Sequence, residues 1–173
     1  MFERLFRKKR FKYKCDECQE YHVGSPSFSM KHPTSFFDVP ETERNDRVQY
    51  NDDLCMITPR ENDTTEDPIY YIRCILEIPI KGASEPFMWG VWITQSKENF
   101  ERYIETFEAN QSNEKSSGWL LVDLPFYNNA RTGEPLTHLE CEVHWVECEV
   151  HWGPKGQRPK VSLWENSHQL AVD

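Results

Sequence analysis

Between residues 70 and 80 the side chains alternate strictly. Tyr70, Ile72, Cys74, Leu76, Ile78 and Ile80 share one face at a period of two, and Tyr71, Arg73, Ile75 and Glu77 share the other. That pattern predicts a strand with one core face and one mixed face. Residues 81–85, with Gly82, make a short connection, after which Phe87, Trp89, Val91 and Ile93 resume the alternation. A β-hairpin over about residues 69–94 follows. Gly90, on the face opposite Trp89 and Val91, leaves room there for a neighbouring side chain or backbone. The period then changes. Ser96 can cap a helix, and Phe100, Tyr103, Ile104 and Phe107 follow at i, i+3, i+4 and i+7. This predicts one main amphipathic helix over about residues 97–109, docked on a sheet. The polar stretch 110–117 reads as a loop, 119–123 as a strand, and 139–152 and 160–164 as C-terminal strands. Upstream, Pro40 or Glu41 opens two helical turns in PETERNDR, and TPRENDTTED reads as an exposed loop. Strands with one clear helix between them predict an α+β domain on an antiparallel sheet.

One stretch is repeated. ECEVHW occupies residues 140–145 and again 147–152, each copy preceded by an aliphatic residue, Leu139 or Val146. In a strand, a seven-residue shift exchanges the two faces. Leu139, Cys141, Val143 and Trp145 face inward in the first copy; Val146, Cys148, Val150 and Trp152 do so in the second. A continuous strand therefore needs a bulge or bend near Trp145–Val146. In a helix, Cys141, His144, Cys148 and His151 would line up as a metal tetrad. Val, Cys, His and Trp are weak helix formers, so the strand is the better reading. In a strand His144 and Cys148 stand roughly 13 Å apart, too far to share an ion.

Charge divides the chain. The net charge of −9 over 173 residues averages a basic arm and an acidic body. The first 14 residues hold seven Lys/Arg and one Glu, leaving −15 for the remainder. The division expected is an arm over residues 1–12 and a single α+β domain over 13–173. An acidic body repels nucleic-acid backbones and attracts basic partners, so nucleic acid is unlikely except at the arm. The arm lacks the apolar stretch of a secretory signal, and no segment approaches the ~20 apolar residues of a membrane span. A cytoplasmic location is expected, with the six cysteines as thiols or metal ligands rather than disulfides.

Cys15-Asp-Glu-Cys18, with His22 four residues on, has the spacing C-x2-C-x3-H. Thiolate and imidazole are preferred zinc ligands, and a tight turn brings two such sulfurs within reach of one ion. Unmetallated thiols and a redox C-x-x-C are the alternatives. A structural zinc needs a fourth ligand; Cys55 is the first candidate and His32 the second. No phosphate loop, H-E-x-x-H, G-x-S-x-G or EF-hand pattern occurs. Arg73, Glu77, Trp92 and Glu98 could line a pocket, though an ion pair across the sheet is the simpler expectation.

The stretches CDECQEYHVGSP, NDDLCMI, YYIRCILEIPI, EPFMWGVWITQSKENFERY, GWLLVDLPFY and GQRPKVSLWENSHQLAVD occur in this order. The succession resembles the bacterial domain-of-unknown-function family 2199, from about residue 13 to the last. LEIPI, WGVWI and the SKENF helix start are its most specific parts. The resemblance implies a small cytosolic bacterial α+β protein and carries no activity. This chain departs from the family pattern at Gln19, where Gly usually follows the second Cys, in the duplicated heptapeptide, and in stopping soon after Leu170.

With no catalytic motif, the expectation is a non-enzymatic protein-binding module, more specifically an immunity-type antitoxin that neutralises a cognate basic bacterial toxin. Glu140, Glu142, Glu147, Glu149, Asp52 and Asp53 are its candidate partner-binding residues, and Cys15, Cys18, His22 and Cys55 the candidate ligands of one structural zinc. The alternative is a zinc-stabilised regulatory domain that binds a small ligand or nucleic acid. A hydrolase built on His and acidic residues is the third class.

Overall fold

The computed structural model describes residues 10, 12–15, 18–24, 27–63, 65–80, 82–106, 114–121, 138–145 and 160–163. In chain order the elements are β1 (Lys12–Lys14), β2 (Tyr21–Val23), β3 (Ser27–Ser29), α1 (Ser35–Asp38), α2 (Glu41–Arg47), β4 (Val48–Tyr50), β5 (Leu54–Ile57), β6 (Ile69–Ile78), β7 (Phe87–Gln95), α3 (Lys97–Thr106), β8 (Glu114–Leu120), β9 (Leu139–Trp145) and β10 (Lys160–Leu163). The domain is α+β, as the alternation predicts. No helix among the described residues is long and apolar enough to cross a membrane.

The predicted hairpin is its centre. β6 and β7 pair antiparallel from Tyr70↔Gln95 to Ile78↔Phe87. β7 continues to β8 through Ile93↔Leu120, β8 to β9, and β9 to β10, each antiparallel. β10 then returns to β6 in parallel, at Lys160↔Ile75 and Val161↔Leu76. The five strands β6 to β10 thus close into a ring. In a meander each strand reverses direction, so with an odd number the first and last point the same way. The closing pair must be parallel. β3 also joins β7 in parallel, and β5 and β4 extend the sheet beyond the N-terminal half of β6.

Inside the ring lies the larger core. Ile72, Cys74, Leu76 and Ile78 meet Val91, Ile93, Leu120, Cys141 and Val143, and α3 adds Phe100 and Tyr103. The helix starts as predicted, with the Asn99 amide donating to Ser96 Oγ at 3.2 Å. Phe107, assigned to the same helix from its spacing, lies outside the described residues.

The second face of β6 is more buried than its mixed composition suggests. Tyr71 and Ile75 are 1% and 2% exposed. Tyr71 and Trp92 pack with Val39, Val48, Cys55 and Ile57, apolar residues scattered among acids in the segment carrying α1, α2, β4 and β5. That cover shows no period of its own.

Residues 114–117, expected to be loop, are strand. The reason is what they face: Ser116 and Gly118 point into the ring, where a small hydroxyl and no side chain at all suffice. Ser116 Oγ donates to Gln95 Oε1 at 2.7 Å and accepts from Trp145 Nε1 at 3.1 Å, while Gln95 Nε2 donates to the Thr94 carbonyl at 2.8 Å. A satisfied polar network replaces the apolar alternation that would have marked the strand.

β9 is the first copy of the heptapeptide in the orientation expected, with Cys141, Val143 and Trp145 buried. The second copy, the bend before it, and Trp152 lie outside the described residues. Gly90 meets its expectation too: a Cβ there would stand 3.0 Å from Ser29 Cβ and 3.3 Å from its Cα, where β3 runs parallel beside β7.

Candidate metal centre and partner-facing surface

β1 and β2 form a two-stranded hairpin apart from the large sheet, with Tyr13↔His22 at its centre. Its turn is tied twice: the Gln19 amide donates to the Cys15 carbonyl at 2.9 Å, and the Cys15 amide to the Glu20 carbonyl at 2.8 Å. This doubled turn brings the Cys15, Cys18 and His22 ligand atoms within 4.8 Å of one another. Cys18 Sγ lies 3.1 Å from His22 Nε2, and Tyr13 stacks on the His22 ring at 5.7 Å. Zinc binds thiolate at ~2.3 Å, so a tetrahedral site holds two sulfurs roughly 3.8 Å apart. The three groups need only small shifts to meet an ion, Cys18 and His22 opening slightly from 3.1 Å.

The turn requires a left-handed residue after the second cysteine, and Gln19 supplies it at φ 61°. An L side chain pays roughly 1 kcal/mol there that glycine does not. Gln19→Gly is therefore expected to stabilise the hairpin by about 0.5–1 kcal/mol and to tighten metal binding by a similar free energy. Competition with a chelator checks it, and unchanged affinity would show that the turn is not what limits the site.

The predicted fourth ligand is not there. Cys55 is wholly buried in β5, opposite Tyr50 and Tyr71, in the core with Val39 and Trp92. Burial pushes its thiol up to about 11. His32 is held elsewhere, stacked on Phe36 at 4.1 Å with Tyr50 edge-on at 4.9 Å. Desolvation, with Lys31, Arg44 and Arg73 nearby, lowers its basicity, and its buried Nδ1 has no partner among the described residues. Among the described residues the metal-type cluster has three members.

The candidate partner-binding acids are spread out. Glu140 is exposed on β9. Glu142 is engaged by Lys115 Nζ and His144 Nε2, both at 2.9 Å, and the lysine above all holds its carboxyl below the usual range. Asp52 is exposed, its carbonyl accepting from the Arg73 guanidinium at 3.0 Å; the Asp53 carbonyl accepts the Arg73 amide at 2.8 Å. Glu147 and Glu149 lie outside the described residues. Arg73 and Glu77 serve different neighbours: Arg73 bonds Ser29 and lies over Trp92 at 5.6 Å, while Glu77 takes Lys160 at 2.8 Å. Glu98 is on α3, which packs against the ring core rather than the Trp92 face. These four residues line no common site.

Two arrangements escape the sequence reading. On β9 and β10, Ser162 Oγ lies 3.1 Å from His144 Nε2, with Glu142 beside it. Both contacts fall on the same ring nitrogen. A nucleophile–base relay needs the acid on the other nitrogen, so this is not a triad.

The second is an aromatic surface cluster. His32 and Phe36 contact each other and both Phe37 and Tyr50, which remain 64% and 54% exposed. Of the basic side chains near it, Lys31 is exposed beside His32, and Arg44 lies over the Phe36 ring at 4.7 Å. Arg44 donates to the Val39 carbonyl at 2.9 Å, while Arg47 and Arg60 both take Glu43, at 2.7 and 3.0 Å. Asp38, Glu41, Asp46 and Asp52 stay exposed. Adjacent phenylalanines in an acid-rich stretch are the sequence signal that could have found this surface.

The sequence profile of a bacterial family, described as an uncharacterised protein conserved in bacteria (DUF2199), matches residues 14–173. No curated protein and no solved structure gives a match.

Proposed function

The chain belongs to the bacterial DUF2199 family, and from that premise we propose that it is a cytoplasmic, non-enzymatic protein-binding module that captures a basic partner. The supporting observation is that Phe37 and Tyr50, joined through His32 and Phe36, are exposed on a segment whose Asp38 and Asp52 are exposed as well. Aromatic rings supply the buried anchors of an interface, and surrounding carboxylates speed the approach of a cation and reject other partners. The body charge of −15 extends the same field over the whole domain. An immunity-type antitoxin against a basic toxin has this chemistry.

The test is co-expression with the protein encoded by the adjacent gene, followed by mixing of the purified pair. Growth protection and a complex whose association slows with salt are expected. Replacing Phe37 and Tyr50 together by Ala should weaken it about a hundredfold, at ~1.4 kcal/mol per anchor. A toxic neighbour against which the protein neither protects nor forms a complex at micromolar concentration would refute the reading.

The convergence of Cys15, Cys18 and His22 favours a second element, one structural zinc holding the hairpin. A zinc-stabilised regulatory domain is the corresponding alternative, with the basic arm as its contact for a small ligand or nucleic acid. Protein purified without added metal is expected to carry about one zinc per chain, lost in Cys15→Ser with a fall in hairpin stability. Metal-free protein that binds no added zinc removes this element and leaves the partner reading standing.

A further inference from the structure

We infer that Cys15 and Cys18 are a site of reversible oxidation by a hydroperoxide, closing to a disulfide that ejects the metal from the hairpin. The zinc-release half of this rests on the metal reading above; the disulfide half does not.

The described cysteines fall into two kinds. Cys55, Cys74 and Cys141 are each 0% exposed, inside the two cores. Burial pushes Cys141 up to about 12 and Cys74 upward as well, which keeps these sulfurs inert. Cys18 is exposed and Cys15 half-buried, on a turn apart from the barrel, with sulfurs no more than 4.8 Å apart. A disulfide needs about 2.0 Å, a closure that a four-residue turn can make without disturbing either core.

The chemistry balances with one peroxide. The more exposed Cys18 sulfur attacks a peroxide oxygen. An S–O bond forms, the O–O bond breaks, and the departing oxygen leaves as alcohol (water for hydrogen peroxide) with the thiol proton. The Cys15 sulfur then displaces the hydroxyl from that sulfenic acid, which leaves as water with the second thiol proton. Two thiols lose two electrons and the peroxide gains them. When the sulfurs hold zinc, solvent supplies the two protons and Zn2+ carries away the charge. His22 remains as one imidazole, too few ligands to retain zinc. A dithiol reductant reverses the step by exchange.

The test treats the full zinc-loaded chain, in a Cys148→Ser background, with hydrogen peroxide. Zinc release is read with a chromophoric chelator and the sulfur link by peptide mapping. Expected are a Cys15–Cys18 link, matched release of zinc, oxidation at least about tenfold faster than at the three buried thiols, and recovery with dithiothreitol. A chain that carries no zinc but still forms the link supports the oxidation site and sinks the metal reading. A zinc-loaded chain whose sulfurs stay unlinked, or that oxidises Cys55, Cys74 or Cys141 as fast, overturns the inference and leaves the metal reading intact.

Discussion

Gly118→Ala is expected to destabilise the protein by about 3 kcal/mol, more than its single added methyl suggests. Gly118 faces into the ring from β8, opposite Cys141 of β9. A Cβ there would strike the Thr94 carbonyl and stand 2.6 Å from both Gln95 Nε2 and Ile93 Cγ2. Two of those three contacts cannot yield cheaply. The carbonyl belongs to the β7 backbone, and Ile93 is wholly buried. Alanine reduces the freedom of the unfolded chain, which returns only ~0.5–1 kcal/mol. Gly90→Ala is the comparison. There the nearest atom is the Ser29 hydroxyl, which can rotate away at the loss of its bond from Arg73, while the Ser29 Cβ and Cα, at 3.0 and 3.3 Å, are tight but not overlapping. A cost of about 1 kcal/mol is expected. Urea unfolding separates the two, with the Gly118→Ala midpoint falling by about 1 M or more at unchanged slope. A Gly118→Ala midpoint equal to that of Gly90→Ala would mean that β7 and β8 are not in close contact.

Trp145→Ala should cost about 4 kcal/mol, and Trp145→Phe about half that. The indole is 6% exposed at the end of β9, edge-on to Tyr103 of α3 at 5.7 Å. Alanine removes both the packing that holds α3 to the ring and the bond from Nε1 to Ser116 Oγ. Phenylalanine keeps most of the packing and leaves Ser116 with Gln95 alone. The loss in the Phe variant measures mainly the polar network, and the further loss on going to Ala measures the packing against α3. Thermal unfolding of both reads it, with Tm falling by roughly 2–4 °C per kcal/mol in a domain of this size. Equal Tm values for the two variants would show that the packing of the aromatic ring adds little beyond the lost hydrogen bond.

How much was legible depends on whether a residue's role is carried by its neighbours in sequence. β6, β7 and α3 each bury a periodic set, so alternation at period two and then 3.6 marks them. The zinc-type ligands lie within eight residues on one turn, so spacing alone brings Cys15, Cys18 and His22 together. Gln19 shows the limit of that argument. It stands where the family pattern usually has glycine, yet the turn forms with Gln19 at φ 61°. Cys55 fails as a ligand for the opposite reason. Its sequence surroundings, Asn51-Asp52-Asp53, are those of a surface loop, and only the stacking of β5 on β6 places it in a core.

By itself the sequence determined the hairpin, the helix, the inward set of the first heptapeptide, the close approach at Gly90 and the three-residue ligand cluster. Each is set by local spacing or by one missing side chain. The tertiary structure alone decided that five strands close on themselves, that Ser116 and Gly118 lie inside rather than in a loop, and that His32 and Phe36 join the exposed Phe37 and Tyr50 into one cluster. Those outcomes join residues tens of positions apart through hydrogen bonds and burial that leave no periodic trace. The division of charge is where the two meet. The −15 was countable from the start, but only the fold showed that Glu43 takes two arginines, that Arg44 lies over Phe36, and that Phe37 and Tyr50 of the same aromatic cluster stay exposed.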